Sequence, residues 1–340
     1  MSELIYELSK LVHRYGEHVV LEIEQLSIRK GRIIGVAGPN GSGKSTLLKI
    51  LAFLQAPSEG MVYFEGQRVT FSDPPPRREA TLLLQDPYLL KRSVFENVAY
   101  GLKLRRDRND LTRRVGQALT WVGLDPTSFT HRSWNELSGG EAQRVALASR
   151  LILKPKVLLL DEPLASVDAA SAELIMQASF RARRDWGATL VIVSHDLIWM
   201  HEVADEVLSL FNGSLAGTGA RNLIMGPWQI SESGLWRKEL EDGQQIIAQS
   251  PSGDQSVAVL DPSDVSISPK SLEPASQRNA VKGAISQMIF EKNQGKVLVN
   301  VTADSISLYA RMTEDAIKAL SLHPGQTVWV SFDFDAFQWL

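Results

Sequence analysis

Between Leu4 and about Gly213 the chain alternates short apolar runs with longer stretches that are apolar on one helical face. The runs VVLEIEQLSI, RIIGVAG, TLLLQ, KVLLLDEP, TLVIVSHD and EVLSLF have strand character. Their alternation with amphipathic segments predicts an α/β fold around a largely parallel sheet. From Ser93 to Trp134 the pattern turns helical, as in SVFENVAYGLKL and LTRRVGQALTWVGL, which predicts a helical subdomain inserted into that core. After Gly213 the texture changes to short alternating segments separated by Gly, Pro and Ser, and SPKSLEPASQRN reads as a linker or long loop. The closing runs AVKGAISQMI, KVLVNV, SISLYA, TVWVSF and AFQWL, with EDAIKAL before the fourth, predict a small OB-like barrel.

Composition narrows the possible chemistry. The 340 residues are 44% hydrophobic and carry a formal charge of −3, so no global charge points to nucleic acid. The absence of cysteine removes disulfides, thiolate metal sites and thiol catalysis. MSELIYELSK mixes acids into its apolar residues, unlike a signal peptide, and no apolar stretch approaches the ~20 residues that cross a bilayer. The histidines His13, His18, His131, His201 and His323 show no metal-ligand spacing with one another.

Against that background GPNGSGKST, Gly38 to Thr46, stands out, because it places much backbone and little side chain between a strand pattern and a helix pattern. It fits G-x-x-x-x-G-K-[ST]: the glycines let backbone N–H groups surround phosphate oxygens, Lys44 reaches the β and γ phosphates, and the Ser45 hydroxyl ligates Mg2+. Gly38, Pro39, Asn40, Gly41, Ser42, Gly43, Lys44, Ser45 and Thr46 are the expected ATP-binding residues. Val157 to Pro163, VLLLDEP, puts two acids at the end of a buried strand, where ligands collect in parallel sheets. Asp161 is the expected Mg2+ ligand and Glu162 the expected catalytic group for the attacking water. Alone, such a pair could also cap the following helix.

LSGGE, Leu137 to Glu141, followed by AQRVALASRLILKPKVLLLDEP, gives the sequence a resemblance to the ATPase subunit of an ABC transporter over roughly Leu4 to Gly219. The resemblance implies that Ser138, Gly139, Gly140 and Glu141 open a helix whose N-terminus meets a γ-phosphate held by the opposite subunit, so that two composite sites require a homodimer. It implies that Tyr15 stacks on adenine, that Gln85 reaches Mg2+ and the attacking water, that His195 contacts the γ-phosphate, and that Asp168 communicates across the dimer. Two positions depart from the family pattern: Ala165-Ser166-Val167 stands where Ser-Ala-Leu is commoner, and Glu141 stands where glutamine is. Lys103 to Arg108, KLRRDR, can contact a membrane partner or form a solvated helix face.

The remaining residues extend the resemblance. Ser276 to Ile285, SQRNAVKGAI, is similar to the start of the molybdate-binding Mop or TOBE module, and EDAIKALSLHPGQ to its later segment. Ser276, Arg278, Asn279 and Lys282 offer donors to an oxyanion such as molybdate or tungstate, or else cap a strand. The sequence thus predicts a P-loop NTPase core of the ABC type over 1–220 with a helical subdomain at about 93–150, a β-rich connection over 221–275 and a Mop/TOBE-like barrel over 276–340. The resemblance implies an ATPase peripheral on the cytoplasmic face of the cell membrane. Its partners would be permease subunits and, indirectly, a periplasmic or surface solute-binding protein. A barrel serving only dimerisation, cargo such as sulfate, iron, sugar or polyamine, and a soluble non-transport ABC ATPase are the alternatives.

Overall fold

The computed structural model describes residues 3–72, 78–165, 167–194, 196–218, 221–231, 234–249, 257–270, 277–291, 295–304 and 306–339. By its contacts the chain divides into two units, Met1–Asp196 with Ala204–Leu215, and Leu197–Val203 with Ala216–Leu340.

The first unit opens with two long antiparallel strands, β1 (Leu4–Tyr15) and β2 (His18–Arg29), joined by the two-residue turn Gly16-Glu17. With β4 (Glu59–Phe64) and β5 (Gln67–Arg68) they form a sheet of order β2-β1-β4-β5. Strand β1 does not keep one alternation throughout. Tyr6 and Leu8 are buried at even positions, then Lys10 adopts φ 48 at a register shift between Ser9 and Val12, and burial resumes at the odd positions Leu11 and His13. A bulge inserts one residue and so exchanges the faces of everything beyond it.

The second sheet runs β10-β9-β3-β8-β7-β6. Its members are β3 (Ile33–Ala37), β6 (Ala80–Leu83), β7 (Val157–Asp161), β8 (Thr189–Val193), β9 (Glu206–Phe211) and β10 (Ser214–Thr218). The pairings β9–β3, β3–β8, β8–β7 and β7–β6 are all parallel. Every residue of β3, β7 and β8 is buried, which explains their uninterrupted apolar sequences. Helix α1 (Lys44–Leu51) follows β3 directly and buries Leu47, Leu48, Ile50 and Leu51 in the core between the sheets.

Between β6 and β7 lie α2 (Val94–Leu104), α3 (Leu111–Trp121), α4 (Pro126–Phe129) and α5 (Gly139–Leu151). Val94, Val98 and Leu102 give α2 a buried stripe at four-residue spacing, and α2 packs on α5. Ser93 and Glu96 form a reciprocal capping box that starts α2. Helix α6 (Ala169–Trp186) lies between β7 and β8 and ends on Gly187 at φ 73, while α7 (Leu197–Val203) follows β8 and packs on a long strand of the second unit, Arg278–Glu291.

The second unit is β-rich. Strands β11 (Asn222–Met225), β15 (Val257–Leu260) and β21 (Phe337–Trp339) form one sheet, and β12 (Gln229–Ile230), β13 (Trp236–Glu239) and β14 (Gln245–Ala248) another. Five further strands pair in the order β16-β20-β17-β18-β19: β16 (Ser266–Ser268), β17 (Arg278–Glu291), β18 (Lys296–Ala303), β19 (Ile306–Met312) and β20 (Thr327–Asp333). Helix α8 (Glu314–Leu320) connects β19 to β20 and is capped by the Thr313 hydroxyl, which accepts from the Ala316 amide. Ile246, Leu260, Val281, Val299, Leu308, Val330 and Phe332 meet in one core.

A polar clamp crosses the edge of that core. Arg311 grips Glu291 with two hydrogen bonds, at 2.7 and 3.3 Å, and reaches Asp261 at 3.3 Å; Arg221 also pairs with Asp261. Partial burial opposes ionisation of Asp261, but the Ser263 amide and the two guanidinium groups outweigh it and hold the carboxyl below its usual 3.8. A depressed acid pKa contributes stability that is present above the unfolded value and is lost as pH falls through the folded one. Urea titrations of the intact protein between pH 5 and 2 should therefore show the second unit weakening below about pH 4. Asp261→Asn should remove part of that dependence, and an unchanged acid profile would show the clamp to be electrostatically silent.

Candidate functional site

The loop between β3 and α1 is glycine-rich because there is no room for side chains. A Cβ on Gly38 would lie 2.0 Å from the Leu210 carbonyl oxygen, and one on Gly43, at φ 99, would lie 2.8 Å from the Val20 oxygen. Alanine at either position has to displace backbone, so the loop keeps its amides close to whatever it encloses. No side chain caps α1, unlike α2 and α5, and the Ser42 hydroxyl is buried without a protein hydrogen-bond partner. Both features suit a ligand that accepts hydrogen bonds. Lys44 is 7% exposed and its Nζ donates to the carbonyls of Gly38 and Pro39, each at 2.8 Å. Burial lowers its pKa, against the opposing pull of Glu162 and Asp161.

The two acids arrive from the next strand but one. Asp161 ends β7 and is buried; Glu162 follows with φ 46, its amide donating to the Val193 oxygen at 3.1 Å. A left-handed conformation is strained for glutamate and turns its side chain off the strand direction toward the loop. A cavity of about 230 Å³ is lined by Asn40, Gly41, Gly43, Lys44, Ser45 and Thr46 together with Gln85, Asp161, Glu162 and Val20. Gln85 comes from the segment after β6, which α5 holds from beside it. Arg150 Nε donates to the Leu82 oxygen at 3.2 Å, and Gln143 Nε2 to the Leu84 oxygen at 3.4 Å.

Tyr15 is outside that lining, at the end of β1, with half its surface exposed. Its hydroxyl hydrogen-bonds the Gln55 side chain, and its pKa falls below 10.0, chiefly through the nearby Thr46 side chain and also through Gln55 and the charge of Lys49. Ser138, Gly139, Gly140 and Glu141 are likewise not among the cavity residues. They open α5 through a capping box: Ser138 Oγ accepts from the Glu141 amide at 3.3 Å, and the Glu141 carboxylate accepts from the Ser138 amide at 2.8 Å. Arg132 lies 3.5 Å from Glu141 and stacks on Phe129 at 3.9 Å. It supplies a positive charge beside the glutamate that departs from the family pattern, a partner that sequence reading missed because no motif contains it. Gly140 packs so closely that a Cβ would lie 2.6 Å from Ser171 Oγ and 3.2 Å from Asp168 Oδ2. Asp168 is the N-cap of α6 and accepts from the Ser171 amide at 2.9 Å. His195 and Ser276 lie outside the described residues.

In the second unit Arg278 is paired with Asp333 at 2.7 Å. Asn279 is 3% exposed and its amide exchanges two hydrogen bonds with the backbone of Ile247, at 2.7 and 2.8 Å, tying β17 to β14. Gln244 makes the corresponding bonds to the backbone of Lys282, whose side chain is on the exposed side. Among the described residues no group of His, Cys, Asp and Glu side chains has metal-holding geometry, and no helix is long and apolar enough to cross a membrane.

Comparison with known proteins places these features. The ABC transporter family profile matches residues 21–165, and the TOBE domain profile residues 275–336. The tungstate uptake system ATP-binding protein of Peptoclostridium acidaminophilum is 40% identical over 206 residues, 60% of this chain and 94% of that protein. A spermidine/putrescine import ATP-binding protein of Mesoplasma florum and an Fe(3+) ions import ATP-binding protein of Escherichia coli K12 are each 37% identical, over 64% and 63% of this chain. The chain spans under two thirds of the length of those two, 62% and 61%. Among solved structures, cbiO1 of Clostridium perfringens, part of the ABC transporter complex cbiONQ, matches with a TM-score of 0.58 at 28% identity, over 64% of this chain and 89% of that one. A dimeric ATP-binding cassette in a post-hydrolysis state, bound to ADP and Pi, matches equally, with a TM-score of 0.58 at 28% identity over 63% of this chain and 97% of that one. GPNGSGKST, VLLLDEP and LSGGE all fall within the matched cassette region, and the chain belongs to the family of ABC transporter ATP-binding proteins, an ATPase cassette followed by a TOBE domain.

Proposed function

We propose that this protein is the ATP-hydrolysing subunit of an ABC importer for tungstate or molybdate, acting as a homodimer on the cytoplasmic face of the membrane beneath integral permease subunits. A periplasmic or surface solute-binding protein would deliver the cargo. The observation that carries the ATPase reading is the single cavity in which phosphate-loop residues meet Gln85, Asp161 and Glu162. Backbone amides and Lys44 would hold the phosphates, and Glu162 would take a proton from the attacking water. Ser45, Asp161 and Gln85 form an oxygen-only set suited to Mg2+, which would neutralise charge on the transferring phosphoryl group.

The dimer reading is supported by the position of Ser138 to Glu141 away from the cavity lining, at the start of a helix of their own. Facing a second copy, the Ser138 hydroxyl has one lone pair engaged by the Glu141 amide and its proton available for a γ-phosphate oxygen.

The cargo reading draws on the tungstate uptake relative and on the TOBE match. The ion pair between Arg278 and Asp333 means that an oxyanion at Arg278 must displace a carboxylate. Calorimetric titration of tungstate, molybdate and sulfate into the purified protein tests this. Tungstate or molybdate should bind, Asp333→Asn should tighten the binding, and Arg278→Ala should abolish it. No heat at millimolar anion would reject the sensing role and leave a dimerisation module on an importer of other cargo, such as polyamine or iron.

A further inference from the structure

Behind Tyr15 is a polar chain that no motif describes. His13 is 6% exposed, and its Nε2 lies 2.7 Å from Nε2 of Gln55. The same Gln55 side chain bonds the Tyr15 hydroxyl, at 2.9 Å from its nitrogen and 3.0 Å from its oxygen. The His13 ring also meets the Tyr15 ring edge to face, with centroids 4.9 Å apart and planes at 84°. Gln55 lies just beyond α1, the helix that begins at the phosphate loop.

We propose that His13 and Gln55 are positioning residues for the nucleotide base: they fix the ring of Tyr15 relative to the phosphate loop before any nucleotide arrives. The inference rests on the reading of Tyr15 as the adenine-stacking residue. Its physical content is preorganisation. An exposed aromatic ring on the end of a hairpin would otherwise sample several rotamers, and binding would have to select one of them. Here the hydroxyl is held by the Gln55 side chain and the ring by the edge of His13, and Gln55 follows the loop-bearing helix, so the base platform is tied to that helix by short contacts. The bulge at Lys10 makes this possible. By exchanging the faces of β1 it puts His13 on the buried side with Leu11, while Tyr15 stays half exposed at the strand end, and Gln55, just beyond α1, reaches both.

The test separates base from phosphate. Dissociation constants for ATP and for inorganic tripolyphosphate are measured on wild type, Tyr15→Phe, Gln55→Leu, Tyr15→Ala and Lys44→Ala. Tyr15→Phe keeps the stacking face and loses the anchor, and Gln55→Leu removes the link to His13. Each should weaken ATP by about 3- to 10-fold, the range of one lost hydrogen bond, without changing tripolyphosphate affinity. Lys44→Ala should weaken both ligands. If Tyr15→Phe and Gln55→Leu bind ATP like wild type while Tyr15→Ala does not, the anchoring proposal is overturned and the stacking role stands. Wild-type ATP binding by Tyr15→Ala overturns the stacking reading itself. Parallel loss of ATP and tripolyphosphate in the anchor variants would show that His13 and Gln55 serve only the fold.

Discussion

Glu162→Gln should slow ATP turnover by about 100- to 10,000-fold while leaving ATP bound, and the ATP-loaded protein should then accumulate as a dimer. The substitution keeps the shape of the side chain and removes its capacity to take a proton. The backbone argues for a clean effect. Residue 162 is held at φ 46 by the end of β7 and by its amide bond to the Val193 oxygen, and neither constraint involves the carboxylate. Glutamine meets the same backbone strain as glutamate, so the cavity should keep its form. Phosphate release under excess ATP gives the rate, and size-exclusion chromatography with and without ATP gives the assembly state. Turnover at the wild-type rate would move the base function to another group. A slowed enzyme that stays monomeric with ATP would separate hydrolysis from the proposed dimer cycle.

The second large effect concerns stability. Arg311→Ala should destabilise the second unit by about 3–5 kcal/mol, because it strips the buried Glu291 of a guanidinium that holds it through two hydrogen bonds. Side-chain exposures of 7% for Arg311 and 5% for Glu291 justify treating the pair as buried, in contrast to the exposed pairs elsewhere. The same truncation removes one of the two guanidinium groups at Asp261. Chemical denaturation of the full chain, followed by tryptophan fluorescence, should resolve the loss. Trp228, Trp236 and Trp339 form a contact cluster in this unit and report on it. Replacing both partners, Arg311→Met with Glu291→Met, should recover much of the loss, since a well-packed apolar pair removes the desolvation cost on both sides. An Arg311→Ala protein as stable as wild type would show that Glu291 reaches water when the chain relaxes.

Much of the machine was legible because its parts are local in sequence. A phosphate loop is a run of backbone amides bracketed by a strand and a helix, and Gly38 to Thr46 carries all of it in nine consecutive residues. Buried parallel strands betray themselves as unbroken apolar runs, so VLLLD ending on an acid was readable as a strand delivering a carboxylate. The order of these pieces, with LSGGE ahead of VLLLDEP, was enough to indicate the family.

Other features depend on residues far apart in the chain. That Gly38 must be glycine is decided by the Leu210 carbonyl, and the anchoring of Tyr15 by Gln55, 40 residues on. The bulge at Lys10 is silent in a pattern of alternating residues until the partner strand shows the slip. Arg278 reads in sequence as a free cation for an oxyanion, yet β20 brings Asp333 opposite it, and Asn279 spends its amide on Ile247. Sequence by itself determined the cassette and the contiguous motifs proposed to bind and hydrolyse ATP, because these are written in contiguous backbone and short spacings. Tertiary structure alone decided which polar groups are already engaged, because hydrogen bonds and ion pairs are made between neighbours in space, and strand register, not chain order, chooses those neighbours.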